Sequence, residues 1–128
     1  MRSVHLFAAV ITLVIFLISG AYMRAYFPDI YHNDQVIRGA FRTTHIYILF
    51  NGLCHLLLGT YQVISQTKKA YILQWISSSL IMLASLLLII GFFYQAGQGD
   101  DSFRRFGVII TALGVVGHAL ARIRKNNL

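Results

Sequence analysis

The chain contains no glutamate, one proline (Pro28), one cysteine (Cys54) and four aspartates, and only 12% of its 128 residues are charged. A lone cysteine excludes an internal disulfide and a cysteine-based metal cage. Soluble domains carry roughly 25% charged residues, so half that fraction, with 57% hydrophobic residues and a mean hydropathy of +0.66, argues against a soluble fold. The length allows one domain. The net charge of +7 would suit a nucleic-acid surface only if the basic residues clustered on one face, which their positions do not support.

What the chain has in their place is long uncharged runs. A membrane-spanning helix needs about 20 apolar residues, and four windows qualify, at about 3–23, 43–66, 70–95 and 105–122. The last is short, so Arg105 and Arg122 must extend their charges toward the headgroups. Helices are the only spanning form open to such runs, because unpaired backbone groups are not tolerated in lipid. The expected fold is therefore an all-α integral membrane protein, a single domain over 1–128 forming a four-transmembrane-helix bundle. The first window also has features of a signal peptide, with Arg2 before an apolar stretch and Ser19-Gly20-Ala21 after it, and is read as a retained anchor.

Basic residues in short loops stay on the cytoplasmic side. Arg2, Lys68, Lys69, Arg122, Arg124 and Lys125 fall at one end without an acid, while Arg24, Arg38, Arg42, Arg104 and Arg105 share the other with Asp29, Asp34, Asp100 and Asp101. This divides the charge into +6 and +1 and predicts both termini in the cytoplasm, with the chain in a bacterial inner (plasma) membrane. Aromatic residues flank both boundaries, Tyr22, Tyr26, Phe27, Phe92, Phe93 and Tyr94 among the outer ones and Tyr61, Tyr71 and Trp75 the inner ones. In the outer connection, Phe27-Pro28-Asp29 reads as a turn. Asn33-Asp34 then caps a short interfacial helix, with Val36, Ile37, Ala40 and Phe41 on one face and Arg38 and Arg42 on another, before the second span.

No carboxylate lies in a span, which excludes a carboxylate proton relay; the intramembrane ionisable residues are histidines. At about 100° per residue, His45, Ile48, Gly52, His55, Gly59, Gln62 and Gln66 share one stripe of the second span, with Asn51 at its margin. Gly107, Thr111, Gly114, His118 and Ala121 share one in the fourth. Such polar, small stripes face other helices rather than lipid. His55 and His118 lie about 18–20 Å from the outer ends of helices running in the same direction. Paired imidazoles at one depth in a four-helix bundle are what axial ligation of a b-type haem iron requires. On that reading His55 and His118 are the iron ligands, Gly52 and Gly114 make room for the porphyrin, and Arg38, Arg42 or His45 receive propionates. Interhelical hydrogen bonding by the same histidines, or a bound quinone, lipid or metal ion, stays open beside it. His5 is expected at the inner interface, His32 at the surface, and Cys54 as a small buried residue.

The expected function is thus a small haem b electron carrier. The alternatives are a non-catalytic accessory or scaffold subunit, or a small oligomeric channel or transporter drawing on the polar residues of the second span. No nucleophile, base and orienting group come together, so catalysis is not expected. The expected partners are the lipid bilayer, further copies of the chain or other membrane subunits, and no nucleic acid.

Overall fold

The computed structural model describes residues 1–29, 31–98 and 100–126, without the side chains of Gln95 and residues 124–126. Gly99, expected to help end the third span, and the inner charges of Arg124 and Lys125 therefore lie outside what is described. The described chain is helical throughout its ordered elements: α1 (Arg2–Tyr26), α2 (Gln35–Tyr61), α3 (Lys68–Ile90) and α4 (Ser102–Asn126). Between α3 and α4, a π-helical turn at Gly91–Gln95 and a 3₁₀ turn at Ala96–Gln98 extend α3 toward the outer end.

Three helices are long and apolar enough to cross a membrane: α1, α3 with its extension to Tyr94, and α4 over Ser102–Ile123. With 27 residues α2 is as long, but it carries Arg38, Arg42, His45, Asn51 and His55, which lower its apolarity. The separate interfacial helix expected before the second span does not form. Val36 to Phe41 are instead the opening turns of α2, which runs unbroken to Tyr61. Asp34 is its N-cap, accepting from the Ile37 amide at 2.9 Å. No proline or glycine separates Arg42 from the apolar run, and Thr43 and Thr44 return their hydroxyls to the Gly39 and Ala40 carbonyls of the same helix, so a helix once nucleated there propagates. At the other end α2 stops earlier than expected: Gln62 turns extended (φ −65°, ψ 124°) and Gln66 is exposed, off the helix. Arg2 from α1 closes this end, donating to the Gly59 and Thr60 carbonyls at 3.3 and 3.0 Å, two of the acceptors a helix terminus leaves open.

The helices pair as two antiparallel hairpins, α1 with α2 and α3 with α4, and α2 touches both helices of the second hairpin. Glycines line both pairing seams. A Cβ on Gly59 would collide with Leu6 of α1, and one on Gly114 would meet Ile81 and lie 2.9 Å from the Ser77 carbonyl of α3. The end of the bundle at the α1–α2 connection is closed by an aromatic cluster in which Phe27, Phe41 and Phe92 are buried, with Tyr22 and Tyr31 against them. Phe93 and Tyr94 face outward. The expected boundary aromatics thus divide between core and surface. At the start of α4, Asp101 pairs with Arg104 and Arg105 at 2.5 and 2.8 Å. The Ser102 hydroxyl and amide hold the Asp100 carboxylate below its ordinary pKa.

Candidate functional site: a buried histidine network

The charged and polar groups that sequence spacing placed in the membrane must find partners inside the protein. His5, Asn51, His55, Ser78, Ser85, Thr111 and His118 do so in one continuous network. His5, Asn51 and His55 are 1%, 0% and 0% exposed, as buried as the core aliphatics. His5 Nδ1 lies 2.8 Å from His55 Nδ1, and His5 Nε2 lies 2.9 Å from Ser78 Oγ. Ser78 Oγ is 3.1 Å from His118 Nε2. On the far side His55 Nε2 lies 2.8 Å from Ser85 Oγ, which donates to Asn51 Oδ1 at 2.6 Å. The Asn51 amide donates onward to Thr111 Oγ1 at 3.1 Å. All four helices contribute.

The proton positions follow from the fixed end of this chain. The Thr111 hydroxyl donates to the Gly107 carbonyl at 2.8 Å, which can only accept. Thr111 Oγ1 therefore accepts from Asn51, which sets the amide with Oδ1 toward Ser85. Ser85 faces two groups that can only accept, Asn51 Oδ1 and the Ile81 carbonyl at 3.1 Å, so its single proton is spent on them and it accepts from His55, which therefore carries its proton on Nε2 and offers a bare Nδ1. His5 consequently donates from Nδ1, accepts at Nε2 from the Ser78 hydroxyl, and Ser78 in turn accepts from His118 Nε2. Every donor points the same way, from His118 through Ser78, His5, His55 and Ser85 to Asn51. His5 and His55 each keep one bare nitrogen and are neutral, while Nδ1 of His118 makes no hydrogen bond among the described residues.

Of the residues expected to form the site, the structure brings His55 and His118 to one cluster, with ring centroids 5.1 and 6.1 Å from that of His5. It does not bring the others there. His45 sits ten residues from His55, about 15 Å along α2. It is stacked on Phe16 at 4.1 Å and paired with Ser19 at 2.7 Å. Arg38 lies over the Phe27 ring at 5.5 Å and reaches the His32 carbonyl, and Arg42 is exposed at the outer end. His5, expected at the interface, is instead the centre of the network. Its partners are on three other helices, so its role is invisible to the periodicity of α1; the available signal was a histidine only three residues inside an apolar run. His32 is exposed and Cys54 buried, as expected.

The arrangement does not fit a porphyrin. His5 occupies the space between His55 and His118, and both nitrogens of His55 are engaged. An iron held in trans between His5 and His55 would need their nitrogens about 4 Å apart, twice a metal–nitrogen bond of about 2 Å, whereas they are at hydrogen-bond distance. The glycines expected to admit a flat ring are covered, Gly52 by Thr12 and Leu13 of α1, Gly114 by Ser77 and Ile81 of α3. Among the described residues no three His, Cys, Asp or Glu side chains converge as metal ligands.

The network is reached from two sides. A cleft of about 230 Å³ between α1 and α3 is lined by the buried His5 and Ser78 together with Met1, Val4 and Trp75. A second, of about 330 Å³, opens at the end of α2 and includes His118. Comparison with family models, curated proteins and solved structures finds no match for the chain.

Proposed function

We propose that the protein is a four-span integral membrane protein with both termini on its basic, cytoplasmic side, and that it handles protons within the bilayer. On this reading it is an accessory membrane subunit without bond-making chemistry of its own. The observation that carries the reading is the unidirectional hydrogen-bonded sequence from His118 to Asn51. A proton arriving at His118 Nδ1 allows His118 to pass its Nε2 proton to Ser78, Ser78 to pass its own to His5 Nε2, and His5 to pass its Nδ1 proton to His55. The charge then rests on His55, which still donates to Ser85. Transfer stops there because the Asn51 amide does not relay a proton onward. The relay takes up and delivers protons on one side rather than conducting them across the membrane. With so little chain outside the helices, a receiving partner has to approach within the bilayer, where the cleft at His5 and Ser78 opens.

The reading is tested by ¹⁵N magnetic resonance of histidine-labelled protein in lipid. At neutral pH the expected tautomers are Nε2–H for His55 and His118 and Nδ1–H for His5. Acidification of the wild type should shift all three together, and Ser78→Ala should uncouple His118 from the other two. Independent titration in both proteins would refute the relay. A Soret band in the purified wild type, lost on His118→Ala, would restore the haem reading in its place.

A further inference from the structure

Where α2 ends, the cleft that includes His118 has chemistry the relay does not use. Its walls are apolar along Leu57, Leu58 and Val63, and its polar groups are Tyr61, Gln62, Gln74, His118 and Arg122. Gln62 is 9% exposed, yet neither its amide nitrogen nor its amide oxygen has a hydrogen-bond partner among the described residues. Burying an amide without partners is costly, and native structures rarely do so without reason. The neighbouring Gln74 cannot relieve it, because that side chain is committed to the Val63 carbonyl and the Ser65 amide at 2.9 and 3.0 Å. Arg122 stands one turn beyond His118 on α4 and makes no ion pair among the described residues.

We infer that this cleft is a binding site for an acidic phospholipid whose headgroup carries a hydroxyl. The Arg122 guanidinium and the Gln62 N–H donors suit a phosphate, the Gln62 carbonyl oxygen needs a donor such as a headgroup hydroxyl, and the leucine and valine wall suits the adjoining acyl chain. The volume of about 330 Å³ holds a headgroup and the start of a chain rather than a whole lipid. The inference rests on the membrane reading above but not on the relay, whose failure would leave it standing.

The test is lipid binding to the full chain in detergent, measured by native mass spectrometry and thermal unfolding with phosphatidylglycerol, phosphatidylcholine and glycerol phosphate. Wild type should retain phosphatidylglycerol preferentially and gain thermal stability from it, with no competition from glycerol phosphate at equal concentration. Arg122→Gln should weaken retention about fivefold, the loss of one basic contact near the membrane surface. Gln62→Leu, which removes the unpartnered amide and should remain folded, is expected to bring phosphatidylglycerol down to the level of phosphatidylcholine. Full preference surviving in Gln62→Leu would show general attraction to Arg122 and overturn the site. Equal competition by glycerol phosphate would overturn the lipid assignment in favour of a soluble anion.

Discussion

At the scale of single residues, what decides a polar group's worth in this protein is whether its partner remains when it is removed. His5 holds both His55 Nδ1 and the Ser78 hydroxyl. Substituting it leaves two buried groups unsatisfied, each costing about 1–3 kcal/mol, though hydrogen bonds between membrane helices often measure nearer 0.6 kcal/mol because the unfolded chain also finds partners. His5→Phe is therefore expected to destabilise the protein by about 2 kcal/mol or more, while His32→Ala, at the exposed outer connection, should be nearly neutral. Reversible unfolding in mixed micelles compares them directly, and equal losses would contradict the central place given to His5. Sequence reading found His55 and His118 because both lie on helical stripes with small residues. It misplaced His5 because nothing in the local pattern of α1 distinguishes a histidine facing water from one facing three other helices.

At the scale of elements, glycines separate by what stands opposite them. Gly114 faces Ile81 and the Ser77 carbonyl with no room for a methyl group, whereas Gly39, early in α2, has no neighbour within 4 Å of where one would sit. Gly114→Ala should force α3 and α4 apart at a cost of about 1–3 kcal/mol. Gly39→Ala should stabilise α2 by about 0.5–1 kcal/mol through reduced backbone freedom in the unfolded chain. Unfolding midpoints of the two variants should move in opposite directions. The small stripe of the fourth span was legible in the sequence, as was its fitness either for a neighbouring helix or for a flat ligand. The choice between those was not, since it depends on which helix arrives there. In the structure α3 does, with its own serines and Ile81 filling the groove.

At the scale of the whole molecule, topology depends on α2. Its composition falls short of the apolarity a crossing helix needs, yet His45, Asn51 and His55 find partners on α1, α3 and α4, a pattern that suits a helix enclosed by other helices. In a Cys54→Ala background, Gln35→Cys at the outer start of α2 should react with an impermeant maleimide on intact cells, and Lys69→Cys at the start of α3 should not. Labelling of both alike would mean that α2 does not cross.

The sequence by itself determined the helices, the membrane character and the sorting of charge between the two ends, because these follow from local apolarity, period and the cost of placing charge in lipid. It also placed His55 and His118 at one depth, since rise per residue is a property of the helix alone. Only the tertiary structure decided that His5 lies between them, that Ser78 and Ser85 link the rings, and that Arg38, Arg42 and His45 belong elsewhere. Those contacts join residues 30 to 73 positions apart, and no periodicity within one helix encodes the rotation of its neighbours.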